Sequence, residues 1–289
     1  NAGWKWTDVI HDLGIRRSDF DHQDMLFVAR NLGDLTRAKR EDRIALVASF
    51  EAATPIENEV DRVDVLYGLG VRVMGITYSE SNALGSGLKE LTDGGLTTFG
   101  RQVVRRMNRI GMTIDTAHCG DRTAIDVAEA SERPVLMSHV GARTLWDTNR
   151  MKSDDAIKAV AAGGGLIGIE AAPHTTLTAA HPRHSIASVM EHFEYVAGLV
   201  GLDHVSFGPD TLYGDHVGLH HAYAAQLSIG ATHKGPTFDE VPYVEGLENP
   251  TECFPNIIRW LVSHGYGREE IAKVVGKNAM RVLAATWAS

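Results

Sequence analysis

The stretch GMTIDTAHCGD (residues 111–121) determines the fold prediction, because an apolar run ends there in a histidine and a new segment follows. The pattern returns in RPVLMSHVG (133–141), where a second apolar run ends in His139. The segment between the two runs is helix-like, since Asp121 suits a helix start and the apolar residues after it recur at helical spacing. Two apolar strands joined by a helix predict a parallel βαβ unit, with His118 and His139 at the same edge of the sheet.

The same alternation of apolar runs and amphipathic segments extends along most of the chain. The predicted strands are nearly continuous apolar runs, which is typical of a parallel sheet with helices on both faces. They lie at residues 43–50, 71–78, 112–118, 134–139, 165–171 and 204–210, with helices predicted at 98–109, from Asp121, from Ser153 to Gly163 and over 185–200. No glycine-rich nucleotide-binding fingerprint opens a helix, which disfavours a Rossmann fold. We therefore predict an α/β fold, a (β/α)8 TIM-type barrel, whose functional residues follow the carboxyl ends of the strands.

A single barrel domain over residues 1–289 is the predicted organisation. It comprises an N-terminal loop and helix over 1–42, a lid-like loop over 211–250 and C-terminal helices over 251–289. A closed barrel of this type has eight strands, whereas the pattern predicts six. Because the N-terminal segment contains no predicted strand, we expect the first two strands to lie upstream of Asn1.

Composition places the chain among globular proteins and disfavours several classes of partner. Hydrophobic residues make up 44% and charged residues 22% of the chain, and the formal net charge is −9. No dense Lys/Arg cluster is present, which disfavours a nucleic-acid partner, and the apolar runs are too short to cross a bilayer. Two cysteines, Cys119 and Cys253, are too few to staple a fold of this size, and no apolar signal segment opens the chain. We expect a cytoplasmic protein that acts on a small molecule.

Polar side chains collect where the predicted strands end. They are Glu51, Tyr78, His118, His139 and Asp210. Two imidazoles and two carboxylates at one barrel mouth suit zinc or a similar divalent ion, and the second carboxylate allows a second metal. Each residue also has a structural interpretation: a strand-end histidine is often only hydrogen-bonded, Glu51 can be a loop carboxylate, and Asp210 can form a turn. Spacing alone leaves both interpretations open.

The remaining histidines are weaker candidates. His22 and Asp24 form an H-x-D pair, but helix capping and first-turn duties explain them better, since a helix-like run follows. Histidines also lie in two polar loops, where we expect them to be solvated: His174, His181, His184, His216, His220, His221 and His233.

Longer motifs resemble a known family. The segments GGLTTFGRQVVRRMNRIGMTIDTAHCGD (94–121), RPVLMSHVGAR (133–143), NRMKSDD (149–155) and HVSFGPD (204–210) are similar to the core of the membrane (renal) dipeptidases, the M19 metallopeptidases. The similarity covers about residues 43–285 and includes the C-terminal FPNIIRWLVSHGYGREEIAKVVGKNAMRVL. It implies a (β/α)8 barrel with two zinc ions per subunit that cleaves dipeptides by a metal-bridging hydroxide. The family often forms dimers, so a homodimer is the implied assembly.

The resemblance also assigns roles to residues of this chain. Glu51 matches the carboxylate that bridges the two metals, and His118 and His139 match the ligands of the second metal. Asp210 matches the aspartate beside the metal-bound water that moves the proton, and Arg150 matches the arginine that holds the substrate carboxylate. A guanidinium fork suits that bidentate task.

Two departures from the family pattern keep alternatives open. The H-x-D ligands of the first metal are not found before Glu51, and Tyr78 stands where the family usually has a histidine that contacts the substrate. A phenol still donates a hydrogen bond to a developing oxyanion, with a different reach and charge. The leading hypothesis is a zinc-dependent dipeptidase. The alternatives are an amidohydrolase acting on N-acyl amino acids, a lactone or another small amide, and a non-catalytic barrel that has lost part of its metal site.

Overall fold

The computed structural model describes residues 5–173, 175–222 and 239–287. The first half alternates helices and strands in the order α1 (Trp6–Asp21), β1 (Leu26–Val28), α2 (Leu32–Glu41), β2 (Ile44–Leu46), β3 (Ser49–Phe50), α3 (Arg62–Gly68), β4 (Val73–Gly75), α4 (Thr98–Ile110), β5 (Thr113–Asp115) and α5 (Asp121–Ala130). The second half continues with β6 (Leu136–Val140), α6 (Asp154–Ala162), β7 (Leu166–Ile169), α7 (Ile186–Val200), β8 (Val205–Phe207), α8 (His216–Ala222), α9 (Pro250–Ser263), α10 (Arg268–Ala272) and α11 (Asn278–Thr286). A π-helical segment, Lys273–Lys277, joins the last two helices.

The strands form parallel pairs in chain order. Strands β3 to β8 make a six-stranded sheet in which each strand pairs with its successor, and β1 pairs with β2 in a separate two-stranded sheet. All the pairings are parallel, so the carboxyl ends of β3 to β8 lie along one edge. This arrangement is the one that a βαβ series predicts.

Helix boundaries follow local sequence signals. Thr97 caps α4 by accepting the Gly100 N–H, and Gly111 ends that helix with φ +81° in the left-handed region. Ser153 caps α6 in the same way, accepting the Ala156 N–H. The buried faces of α4 and α7 enter one continuous apolar core with the strands. Since side-chain caps and core-facing periodicity are both readable from sequence, the predicted spans of these helices are confirmed within about one residue.

The N-terminal segment differs from the prediction. Residues 1–42 were expected to hold a loop and a helix, whereas the described part contains α1, β1 and α2. The strand β1 has three residues, all partly exposed, and Met25 beside it is 73% exposed. So short a run gives little periodicity to detect. The predicted strand 43–50 is likewise interrupted, because β2 pairs with β1 and β3 pairs with β4.

The C-terminal part agrees with the helices predicted for 251–289, through α9, α10 and α11. The predicted lid over 211–250 begins with α8, and residues 223–238 lie outside the described part of the chain. None of the described helices is both long and apolar enough to cross a membrane.

Candidate metal centre and active site

Three side chains meet at the carboxyl edge of the sheet. Glu51 directly follows β3, His118 lies three residues after β5, and His139 lies in β6. The His118 Nε2 atom is 3.0 Å from His139 Nε2 and 3.0 Å from Glu51 Oε1, and His139 Nε2 is 3.4 Å from the same carboxylate oxygen. Two imidazole nitrogens and one carboxylate oxygen therefore form a triangle with sides of 3.0 to 3.4 Å.

That triangle has the size of a metal site. Zinc bonds of about 2.0–2.1 Å in a tetrahedral arrangement place neighbouring ligand atoms about 3.3 Å apart. In the described residues, Glu51, His118 and His139 are the group of three such donors close enough for one ion. The donor set suits zinc, and its partly exposed carboxylate leaves a side open to a substrate.

A hydrogen-bond chain fixes the orientation of His139. Its Nδ1 atom is 2.7 Å from the Ser138 Oγ, and the Ser138 hydroxyl in turn donates to the Asp115 carboxylate. Asp115 also accepts the backbone N–H groups of Ala117 and Ser138. Since the Ser138 hydroxyl donates its proton to Asp115, its oxygen accepts a hydrogen bond from Nδ1–H of His139. The Nε2 atom of His139 is then unprotonated, and its lone pair is available to a metal. The register of β6 shifts between Met137 and Val140, and such irregularities turn side chains toward sites.

His118 is held by stacking and kept neutral by burial. Its ring lies on the Tyr78 ring, with centroids 4.4 Å apart and an interplanar angle of 16°. Burial, together with the Arg150 cation, lowers the pKa of His118 from 6.5 to about 3. The imidazole is therefore neutral at physiological pH, which is the form that binds a metal.

Glu51 reaches the cluster because a neighbouring strand gives it room. A Cβ atom at Gly75 would overlap the Glu51 carbonyl oxygen, so only glycine lets β4 approach this turn. Burial raises the pKa of the Glu51 carboxyl, but His118 and His139 oppose it and hold that pKa well below its usual range. Glu51 is thus ionised and available as a ligand.

Tyr78 and Asp210 complete the rim of this cluster. Burial and the nearby Glu51 charge raise the pKa of Tyr78 above its usual value, so the phenol keeps its proton. Asp210 has a positive φ of 55°, which aspartate tolerates better than most residues, and its Oδ2 lies 4.0 Å from Nε2 of His216. Asp210 lies outside the three-donor group but contributes to the pKa shifts of Tyr78 and His139, which places its charge near both.

Arg150 does not make the surface salt bridge that its neighbours Asp154 and Asp155 suggest. Its Nη2 atom lies 2.5 Å from Glu170 and donates to the His139 carbonyl at 2.7 Å. Glu170 follows β7 and is fully buried; burial raises the pKa of its carboxyl, and the Arg150 contact opposes that rise. The guanidinium is thus held beneath the histidine cluster by internal partners.

Other histidines differ in part from expectation. His22 is exposed, and its Nδ1–H donates to the Ser18 carbonyl at the C-terminal end of α1, so the prediction that it serves the start of a following helix is wrong. Asp24 likewise precedes the strand β1 and not a helix. His184 and His216 are buried and not solvated; His184 lies in a loop that packs against the fold, and His216 begins α8. His174 and His233 lie outside the described residues.

These features together define a metal-dependent hydrolase of the α/β barrel class. The chain belongs to the membrane dipeptidases, peptidase family M19, whose family model matches residues 14–227 and 215–288. This membership confirms the resemblance seen in the sequence and makes the protein a dipeptidase-family hydrolase.

Individual relatives agree with this assignment. The chain is 27% identical over 266 residues to the dipeptidase tcpJ of Claviceps purpurea, covering 91% of this chain and 56% of that protein. The chain therefore spans a little over half the length of this relative. An amidohydrolase of Pseudomonas aeruginosa superimposes with a TM-score of 0.87 at 28% identity, covering 99% of this chain and 87% of the other.

A third comparison concerns the fold alone. A metallopeptidase of Rhodobacter sphaeroides, solved with a phosphinate mimic of L-Ala-D-Ala, matches with a TM-score of 0.77 at 21% identity, over 96% of this chain and 73% of the other. The predicted α/β TIM-barrel class is confirmed by these neighbours.

Two residues of the site have no clear sequence signal. Glu170 follows the apolar run GLIGI, just as Glu51 follows its own apolar run, and this strand-end position is the feature that could have marked Glu170 as a site residue. Ser138 immediately precedes a predicted ligand, but only the bulge in β6 brings its hydroxyl to the ligand's far nitrogen.

Proposed function

We propose that this chain is a zinc-dependent hydrolase of small amide bonds that works in the manner of a dipeptidase, with Glu51, His118 and His139 as metal ligands. The observation that carries the proposal is the 3.0–3.4 Å triangle of two imidazoles and one ionised carboxylate at the carboxyl edge of the parallel sheet. Buried polar and charged groups cost free energy unless they are hydrogen-bonded, paired or bound to a metal, and a metal ion would compensate all three groups at once.

The residues around the triangle suit the steps of amide hydrolysis. A bound zinc ion would supply Lewis-acid activation of water and of the scissile carbonyl. Asp210, on the rim, is proposed to take the proton from the attacking water and return it to the leaving amine. Tyr78 keeps its proton and is proposed to donate a hydrogen bond to the developing oxyanion, in the place where the family usually has a histidine.

Arg150 is proposed to face the end of the substrate that leaves as the amine. Its guanidinium lies under His139, bonded to the backbone of that ligand, so a substrate held on the cluster comes near it. A cation at this depth orients the substrate by its remaining donors.

The test is a substrate screen with matched variants. Zinc-loaded protein is assayed against L,L- and L,D-dipeptides, with His118→Asn as the site variant and His204→Asn as the control. His204 bonds to the Gly165 carbonyl just before β8, at the opposite end of the sheet. We expect dipeptide cleavage in the wild type and the control, and loss of both zinc and cleavage in His118→Asn.

Two outcomes would contradict the proposal. Zinc-free protein that still cleaves dipeptides would remove the metal from the reaction. Zinc-loaded protein that cleaves no small amide or lactone would favour a non-catalytic barrel.

A further inference from the structure

Glu170 is a buried carboxylate that the proposed reaction does not use. It directly follows β7, has no exposed surface, and lies 2.5 Å from the Arg150 guanidinium. Its backbone N–H donates to the Val140 carbonyl, and its carbonyl accepts from the Thr176 hydroxyl. Glu170 is therefore fixed in place on a strand end, one strand away from His139.

The contacts of Arg150 leave its charge largely compensated. Besides the Glu170 ion pair, the guanidinium donates to the His139 carbonyl at 2.7 Å and to the Ala117 carbonyl at 3.4 Å. Burial of Glu170 means that solvent does not screen the pair. A substrate approaching Arg150 meets a guanidinium and a carboxylate whose charges sum to zero.

Capture of a substrate carboxylate at Arg150 would have an unfavourable result. The guanidinium would either share itself between two carboxylates or leave Glu170 as a buried charge without a partner. An uncompensated buried charge is strongly destabilising, and two like charges near one another repel. An uncharged group such as a carboxamide avoids both costs and uses the remaining donors of Arg150.

We propose that Glu170 is a specificity-determining residue that cancels the charge of Arg150 and directs the enzyme to small amides whose leaving portion ends in an uncharged group. This inference rests on the proposed amide hydrolysis and names its substrate class: peptide carboxamides and related neutral amides, in preference to dipeptides with a free carboxylate.

The experiment compares a dipeptide with its own C-terminal carboxamide at pH 8. The enzymes are the zinc-loaded wild type, Glu170→Gln and the control Glu191→Gln. Glu191 is a partly buried glutamate of α7 that accepts a hydrogen bond from Thr178. Zinc content measured on each preparation reports that the site has formed.

We expect the kcat/KM of the wild type to be higher for the carboxamide by about tenfold or more. Repulsion between the substrate carboxylate and the Glu170 carboxylate, a few ångströms apart, is large enough for a difference of this size. Glu170→Gln should shift the ratio toward the free carboxylate by a similar factor, mainly through KM, and Glu191→Gln should leave it unchanged. A merely structural role for Glu170 would lower both rates together without changing their ratio.

The results separate this inference from the proposed function. Cleavage of both substrates with a wild-type preference for the free carboxylate would overturn the role of Glu170 alone. Cleavage of neither substrate by zinc-loaded wild type would overturn the amide hydrolase itself. If Glu170→Gln does not accumulate as folded protein, the wild-type ratio still decides the question.

Discussion

Replacing Ser138 with alanine should weaken metal binding without unfolding the protein. The Ser138 hydroxyl joins His139 Nδ1, at 2.7 Å, to the Asp115 carboxylate, and alanine removes both bonds. Asp115 keeps the Ala117 and Ser138 backbone N–H groups, so this buried carboxylate stays satisfied. The consequence falls on His139, whose ring loses the partner that fixes its tautomer and orientation.

The size of the effect follows from this loss. Removing the group that orients a metal-bound histidine typically lowers metal affinity by about 10- to 100-fold, which corresponds to about 1.4–2.7 kcal/mol. The assay is a zinc titration against a chromogenic chelator, at matched protein concentrations. Ser206→Ala is the control, because Ser206 is also a buried strand serine whose hydroxyl donates to a backbone carbonyl, that of Val274.

The control separates metal binding from general loss of stability. We expect zinc affinity to fall in Ser138→Ala and to stay at the wild-type value in Ser206→Ala. A Ser138→Ala protein that binds zinc as tightly as the wild type would refute the orientation of His139 through Ser138 and Asp115.

Three further predictions concern stability, the site backbone and substrate preference. His192 Nδ1 accepts the Ala142 N–H, and burial lowers its pKa from 6.5 to about 4. As the pH falls, His192 therefore takes up a proton in the unfolded chain before it does so in the folded protein. The free energy of unfolding should fall by about 3 kcal/mol between pH 6.5 and 4 for this reason, and urea unfolding of His192→Gln should lack this part of the pH dependence. Gly75→Ala places a Cβ against the Glu51 carbonyl, so it should lower the free energy of unfolding by about 1–3 kcal/mol, measured by thermal unfolding, and weaken zinc binding. The control is Gly198→Ala in α7, where a Cβ would have no heavy atom within 4 Å; this variant should be neutral or stabilising. Tyr78→His should raise dipeptide turnover if this position sets substrate preference, and unchanged kcat/KM would count against that role.

Sequence patterns predicted the site residues that lie directly at the end of an apolar strand, because the same pattern marks the strand and the residue. His118 and His139 each end an apolar run, and the parallel sheet brings their Nε2 atoms to 3.0 Å as that pattern predicts. Glu51 joins them because it ends the preceding strand of the same sheet. Helices with a capping residue and a core-facing stripe, such as α4 and α6, were likewise predictable.

The features that sequence did not reveal depend on tertiary contacts. The strand β1 has three partly exposed residues, so its pairing with β2 and not its composition makes it a strand. The ion pair between Glu170 and Arg150 joins residues twenty positions apart in the chain and forms only because the strand ends bring them together. Burial of His184, in a loop, and of His216, at the start of α8, depends on tertiary packing, which the polar sequences around them do not encode locally.

Anomalous diffraction can show whether Glu51, His118 and His139 bind one metal ion. Crystals grown with zinc are measured on both sides of the zinc absorption edge. We predict an anomalous peak about 2.0–2.2 Å from the two Nε2 atoms and from a Glu51 carboxylate oxygen. No peak at this triangle, or zinc bound only elsewhere on the protein, would show that these three side chains are not the metal site.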